Sequence, residues 1–115
     1  MSKYGNVKAS GFDSRKEARR WQELQLLQRA GKITDLQRQV EFELIPAQRE
    51  PDAIGPRGGK KPGKVIERRA VYIADFVYRK GGELIVEDCK GFRTKDYVLK
   101  RKLMLWVHGI RIFET

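Results

Sequence analysis

Hydrophobic positions along the chain change from helical spacing to alternation and back. Ser14-x-x-Glu17 forms a capping box, and Ala18, Trp21, Leu24 and Leu27 follow at spacings of three, which predicts a helix. Gly31, just past Ala30, is its expected stop. Ile33 to Leu36 reads as a short connection, and Val40, Phe42 and Leu44 then alternate with Gln39, Glu41 and Glu43 as a half-buried strand ended by Pro46. Residues 1–13 are polar and glycine-containing, expected as a loose arm. Residues 46–64 carry prolines, glycines and cations without apolar periodicity, expected as a long basic loop.

The second half is richer in β-forming residues. Val65 to Tyr78 carries Val71, Tyr72, Ile73, Phe76 and Val77, Gly81-Gly82 supplies a turn, and Glu83 to Lys90 continues as ELIVEDCK, a hairpin signature. Thr94 is placed to cap a second helix whose buried side would comprise Tyr97, Val98, Leu99, Leu103, Trp106 and Val107. Gly109 ends it before a last short strand from Ile110 to Phe113. The expected order is αβββαβ, an α/β fold in one domain spanning residues 1–115.

Composition narrows the chemistry. With 40% hydrophobic residues a folded core is expected. No stretch approaches the ~20 apolar residues that span a bilayer, and the opening MSKYGNVKAS lacks a secretory signal's apolar core, so a cytoplasmic protein is expected. One cysteine, Cys89, and one histidine, His108, exclude an internal disulfide framework and a zinc-type cluster. Any bound metal would take oxygen ligands, which favours Mg2+ or Mn2+. The 25 Lys and Arg against 15 Asp and Glu give +10, which attracts polyanions. Nucleic acid is the expected partner, without distinction of DNA from RNA; no basic amphipathic helix speaks for a membrane surface.

The Gly81-Gly82 turn sets a register. If those two residues form the loop, Lys80 faces Glu83, Phe76 faces Glu87 and Asp75 faces Asp88, with Lys90 on the same face. Two opposed carboxylates repel unless something neutralises them, and a divalent cation with a lysine beside it would do so. That combination suits phosphodiester hydrolysis, which needs a Lewis acid and positive charge for the developing transition state. A salt bridge between Lys90 and the aspartates is the plainer alternative. Alternation turns Glu87 and Cys89 to the opposite face.

Asp75 with Asp88-x-Lys90 resembles the paired motif of the PD-(D/E)xK nuclease superfamily. The wider pattern YIADFVY, VEDCKGFRT, YVLKRKLM and GI, with FDSRKEARR and Gln39-x-x-Phe42, resembles a phage-associated family with that fold. Ala74 stands where the superfamily motif has proline, and its second acid is here Asp rather than Glu. The resemblance implies a restriction-endonuclease-like core, a mixed sheet flanked by helices, and catalysis of DNA cleavage by Asp75, Asp88 and Lys90. It also implies that Glu17, already a member of the capping box, assists the metal site. Cations and polar residues at Arg15, Lys16, Arg19, Lys60, Lys61, Lys64, Thr94, Lys95, Lys100 and Arg101 are candidate contacts to nucleic acid. Small junction-resolving relatives in the superfamily imply branched DNA such as Holliday junctions, a homodimer with one active site per strand, and a bacterial or phage-infected cytoplasm. A non-catalytic nucleic-acid-binding or accessory module of phage replication is the alternative.

Overall fold

Each helix begins where a hydroxyl side chain can close its first turn. The computed structural model describes residue 12 and residues 14–115. In it, Ser14 accepts a hydrogen bond from the Glu17 amide at 3.1 Å and opens helix α1, Arg15–Arg29. Thr94 does the same for the Tyr97 amide at 3.0 Å and opens α2, Lys95–His108. Gly109, at φ 67°, ends α2 in a conformation that glycine adopts without a Cβ penalty.

Between and after the helices run β1 (Thr34–Ile45), β2 (Gln48–Arg49), β3 (Ala53–Ile54), β4 (Lys60–Lys61), β5 (Val65–Glu67), β6 (Ala70–Lys80), β7 (Glu83–Asp88) and β8 (Phe113–Glu114). One mixed sheet has the order β1-β6-β7-β8, antiparallel at the first two seams and parallel between β7 and β8. A parallel seam needs a crossover, and α2 provides it. The elements around this sheet follow in the order α1, β1, β6, β7, α2, β8, which is the αβββαβ order expected from sequence. The β6–β7 hairpin turns on Gly81 and Gly82, at φ 56° and 84°, the two positive values of a two-residue turn. Its register pairs Lys80 with Glu83, Val77 with Val86 and Phe76 with Glu87, as the turn predicts.

Two apolar clusters sandwich the sheet. Val86, Val77, Tyr72, Ala74, Leu44 and Ile112 pack with Tyr97 and Met104 of α2. Phe76, Tyr78, Ile33 and Phe12 pack with Leu24 of α1, and Trp21 stacks on Phe76 at 5.9 Å. Tyr72 and Ala74 join the α2 cluster while Phe76 and Tyr78 join the α1 cluster, although strict alternation would put all four on one face. The side-chain order is therefore reversed at Asp75. Across the seam, Gln39 takes φ 52° between the pairs Arg38–Phe76 and Val40–Ala74, so both strands switch faces at the same level.

Several local expectations change. β1 begins at Thr34, so the expected connection at 33–36 is mostly strand. Trp106 is 84% exposed, and Leu99 and Val107 are also outside the core. α2 buries Tyr97 and Met104, and Trp106 lies two residues on, about 200° around the helix from Met104. Of the expected arm at 1–13, Phe12 is buried beside Trp21 with Arg38 stacked 3.7 Å over its ring; the rest lies outside the described residues. The expected loop at 46–64 is instead a paired ribbon, β2 with β5 and β3 with β4. Gly63 permits it: a Cβ there would lie 1.9 Å from the Glu50 carbonyl oxygen. Sequence pattern missed the ribbon because its strands bury almost nothing, so no alternation marks them.

Candidate active site

β6 and β7 carry the two aspartates to the α2 side of the sheet. The ladder ends at Phe76–Glu87, one step short of the acids. There the Cys89 amide leaves the strand pairing and donates to Asp75 Oδ2 at 2.8 Å. Asp88 is 1% exposed, and the Tyr72 hydroxyl donates a short hydrogen bond to its Oδ2. The other oxygen, Oδ1, is buried without a hydrogen-bond partner; Lys90 Nζ stands 3.3 Å away as an ion pair, outside hydrogen-bonding alignment. Lys90 Nζ also lies 4.4 Å from the centre of the Tyr97 ring, so Asp88 and an aromatic face both fix its position.

The reversal at Asp75 makes this arrangement possible. It turns Tyr72 to the face that carries Asp88; unbroken alternation would have left it with Phe76 on the other side. A non-glycine residue in the left-handed region, here Gln39, costs roughly 1–2 kcal/mol. Such strain concentrates at functional sites.

Burial, then the charge of Asp88, raises the Asp75 carboxyl to about 7, and the Cys89 amide opposes the shift. Burial and the bond to Asp88 push the Tyr72 hydroxyl up, so it remains a donor. The chain thus holds two carboxylates together in an environment that disfavours their joint ionisation.

Asp75, Asp88, Lys90, Thr94 and Lys100 line one open groove of about 360 Å³, together with Gln39, Tyr97 and Asp96. Lys100 is held by Asp96 at 3.6 Å. Glu17 is buried on α1 and its charge helps raise Asp75, but it does not line the groove. Among the described residues, no three His, Cys, Asp or Glu side chains are grouped to hold a metal ion. Arg101 is paired with Glu114 at 3.3 Å, beside Arg93 at 2.9 Å, and the hydrogen bonds from Arg93, then from the Tyr97 hydroxyl, hold the Glu114 carboxyl down at about 2. Lys95, Arg101, Arg15, Lys16 and Arg19 do not line the groove, and Lys60, Lys61 and Lys64 belong to the ribbon.

Glu87 faces α1, as alternation predicts. It is fully buried, with Arg20 Nε at 2.6 Å, Arg20 Nη2 at 3.0 Å and the Tyr78 hydroxyl at 2.8 Å. Sequence reading missed Arg20, Tyr72 and Tyr97 as supports of the site. Tyr97 could have been found from its place one turn into a capped helix after Lys90; Tyr72 gave no signal, because the reversal is not written in the alternation.

The fold and the groove define a small basic α/β domain with an acid pair and a lysine at a sheet hairpin. The chain belongs to the family described as protein of unknown function (DUF1064), whose model matches residues 1–108. No curated protein and no solved structure matches the chain. Among the described residues, no helix is long and apolar enough to cross a membrane.

Proposed function

We propose that the chain is a Mg2+ or Mn2+-dependent endonuclease that hydrolyses DNA phosphodiester bonds, with the PD-(D/E)xK architecture. The observation that carries this reading is the buried Oδ1 of Asp88, without a hydrogen-bond partner, in the same groove as Asp75. Each aspartate has one oxygen committed to a protein donor, Tyr72 for Asp88 and the Cys89 amide for Asp75. Two carboxylates suit a hard cation that keeps some of its water and takes further oxygens from a phosphate. Asp75 and Asp88 would hold the cation, and Glu17 would assist from behind through its charge. A bound cation supplies Lewis-acid polarisation of the phosphate and offsets the charge that develops there.

Lys90 is placed to hold a phosphate oxygen or orient a water, since Asp88 and Tyr97 keep its ammonium at the groove. Thr94 and Lys100 line the same groove and would position the neighbouring backbone. A domain of this size has few elements to read bases, which favours recognition of DNA shape and hence branched substrates such as four-way junctions. A homodimer would present one centre to each strand, and the exposed Trp106 and Leu105 on α2 offer an apolar surface for it. The setting would be the cytoplasm of a bacterial or phage-infected cell.

A second reading has two observations in its favour. Among the described residues the grouped acids are two rather than three, and Lys90 already pairs with Asp88, which would suit a DNA-binding module that cuts nothing. Purified protein with linear duplex, single strand, flap and four-way junction, with and without Mn2+, separates the two. Cutting should require the cation and fall at least 100-fold in Asp75→Ala, Asp88→Ala and Lys90→Ala, with binding retained. Unchanged cutting in all three places the reaction elsewhere. Salt-sensitive binding without cutting by the parent protein favours the module.

A further inference from the structure

The ribbon of β2–β5 gains little by packing. A two-stranded ribbon is marginal alone, and β2, β3, β4 and β5 are exposed throughout. The molecule measures 58 × 41 × 26 Å, with a radius of gyration of 18.9 Å against about 13 Å for a compact domain of 100 residues. An arm that leaves the body without burying itself needs another reason for its shape.

Its far end has a definite chemistry. Ile54 pairs across the ribbon with Lys60, and Ala53 with Lys61. The connecting turn is closed by the Gly58 amide on the Gly55 carbonyl at 3.0 Å and contains Pro56 and Arg57. Ile54 is 80% exposed. From residue 53 to residue 66 the sequence carries Arg57, Lys60, Lys61 and Lys64 and no acid. Among the described residues, none of these four cations has a carboxylate partner within ion-pairing distance.

We infer that this ribbon is a DNA-binding wedge: Arg57, Lys60, Lys61 and Lys64 engage phosphates along a duplex groove while Ile54, with Pro56 beside it, inserts into a base step. The charge pattern selects a polyanion, and the apolar tip within it suits unstacking rather than simple backbone contact. A protein partner with an acidic surface would be met by the cations alone and would give Ile54 no stack to enter. The inference rests on the reading of DNA as the partner, but not on cleavage.

The test uses the full chain in EDTA, where no cutting obscures binding, with duplex and four-way junction DNA carrying 2-aminopurine. Parent protein should raise the 2-aminopurine fluorescence at one step as bases unstack. Ile54→Ser should abolish that rise while its circular dichroism stays unchanged. Lys60→Ala/Lys61→Ala should lower the slope of log affinity against log salt by about 0.9 for each cation removed. Retained fluorescence in Ile54→Ser, or an unaltered slope in the lysine variant, overturns the wedge. Binding of single-stranded RNA in preference to both DNAs also overturns it. Because cutting in Mn2+ is measured separately, a nuclease without a wedge and a wedge without a nuclease give different results.

Discussion

Replacing Arg20 by alanine should destabilise the fold far more than an ordinary helix-surface change. Glu87 is fully buried, and both of its oxygens receive Arg20 donors, at 2.6 and 3.0 Å. Removing one partner of a buried ion pair typically costs about 3–5 kcal/mol, because the remaining charge stays desolvated. The Arg20 side chain is 22% exposed, so water can reach part of the vacated space. The Tyr78 hydroxyl also remains on Glu87. Both point to the lower end, about 3 kcal/mol, against a typical total of roughly 5–15 kcal/mol. That corresponds to a fall in Tm of roughly 12 °C or more for a domain of this size. Urea denaturation at pH 7 measures it, with Arg20→Met/Glu87→Met as the companion. The double variant should recover to within about 2 kcal/mol of the parent, the residue reflecting a Tyr78 hydroxyl left without Glu87. Since Glu87 adjoins Asp88, Arg20→Ala should also weaken the cutting proposed above. A loss below about 0.5 kcal/mol, or a double variant worse than the single, would refute the account.

Two further outcomes follow from the groove. The Asp75 carboxyl is raised to about 7, so its contribution to stability is complete below its unfolded value near 4 and is lost as pH rises through 7. In EDTA, Asp75→Asn should therefore be more stable than the parent at pH 8 and little changed at pH 4, and without EDTA added Mn2+ should not stabilise it; urea titrations across that range check it. Gln39→Gly removes a Cβ from the left-handed conformation at φ 52° and should raise stability by about 0.5–1 kcal/mol in thermal melts, the gain reduced by the freedom of glycine in the unfolded chain.

The strong local signals of the sequence were enough to place most of the fold. Ser14 and Thr94 announce their helices because capping is a contact over three residues. Gly81-Gly82 fixes the hairpin register because both residues must take positive φ, and that register brings Asp75 and Asp88 into one groove. What was not legible depends on distance along the chain. Arg20 meets Glu87 across the α1 layer, and nothing near either residue names the other. Tyr72 reaches Asp88 only because two strands switch faces together at Gln39 and Asp75, a tertiary event that an alternating pattern hides. Trp106 misled because apolar identity was read as burial, whereas the helix had already turned away.

The β8 edge has a consequence for the order in which the sheet closes. The Thr115 amide donates to the Asp88 carbonyl at 3.0 Å, and the Lys90 amide donates to the Thr115 carbonyl at 3.2 Å. On a ribosome, residues 88 and 90 emerge well before residue 115, so the strand bearing the second acid waits with an open edge. A nascent chain would then hold the Asp88 strand edge unpaired until Thr115 has emerged, and a proteolytic nick between Gly109 and Ile112 would loosen the same edge.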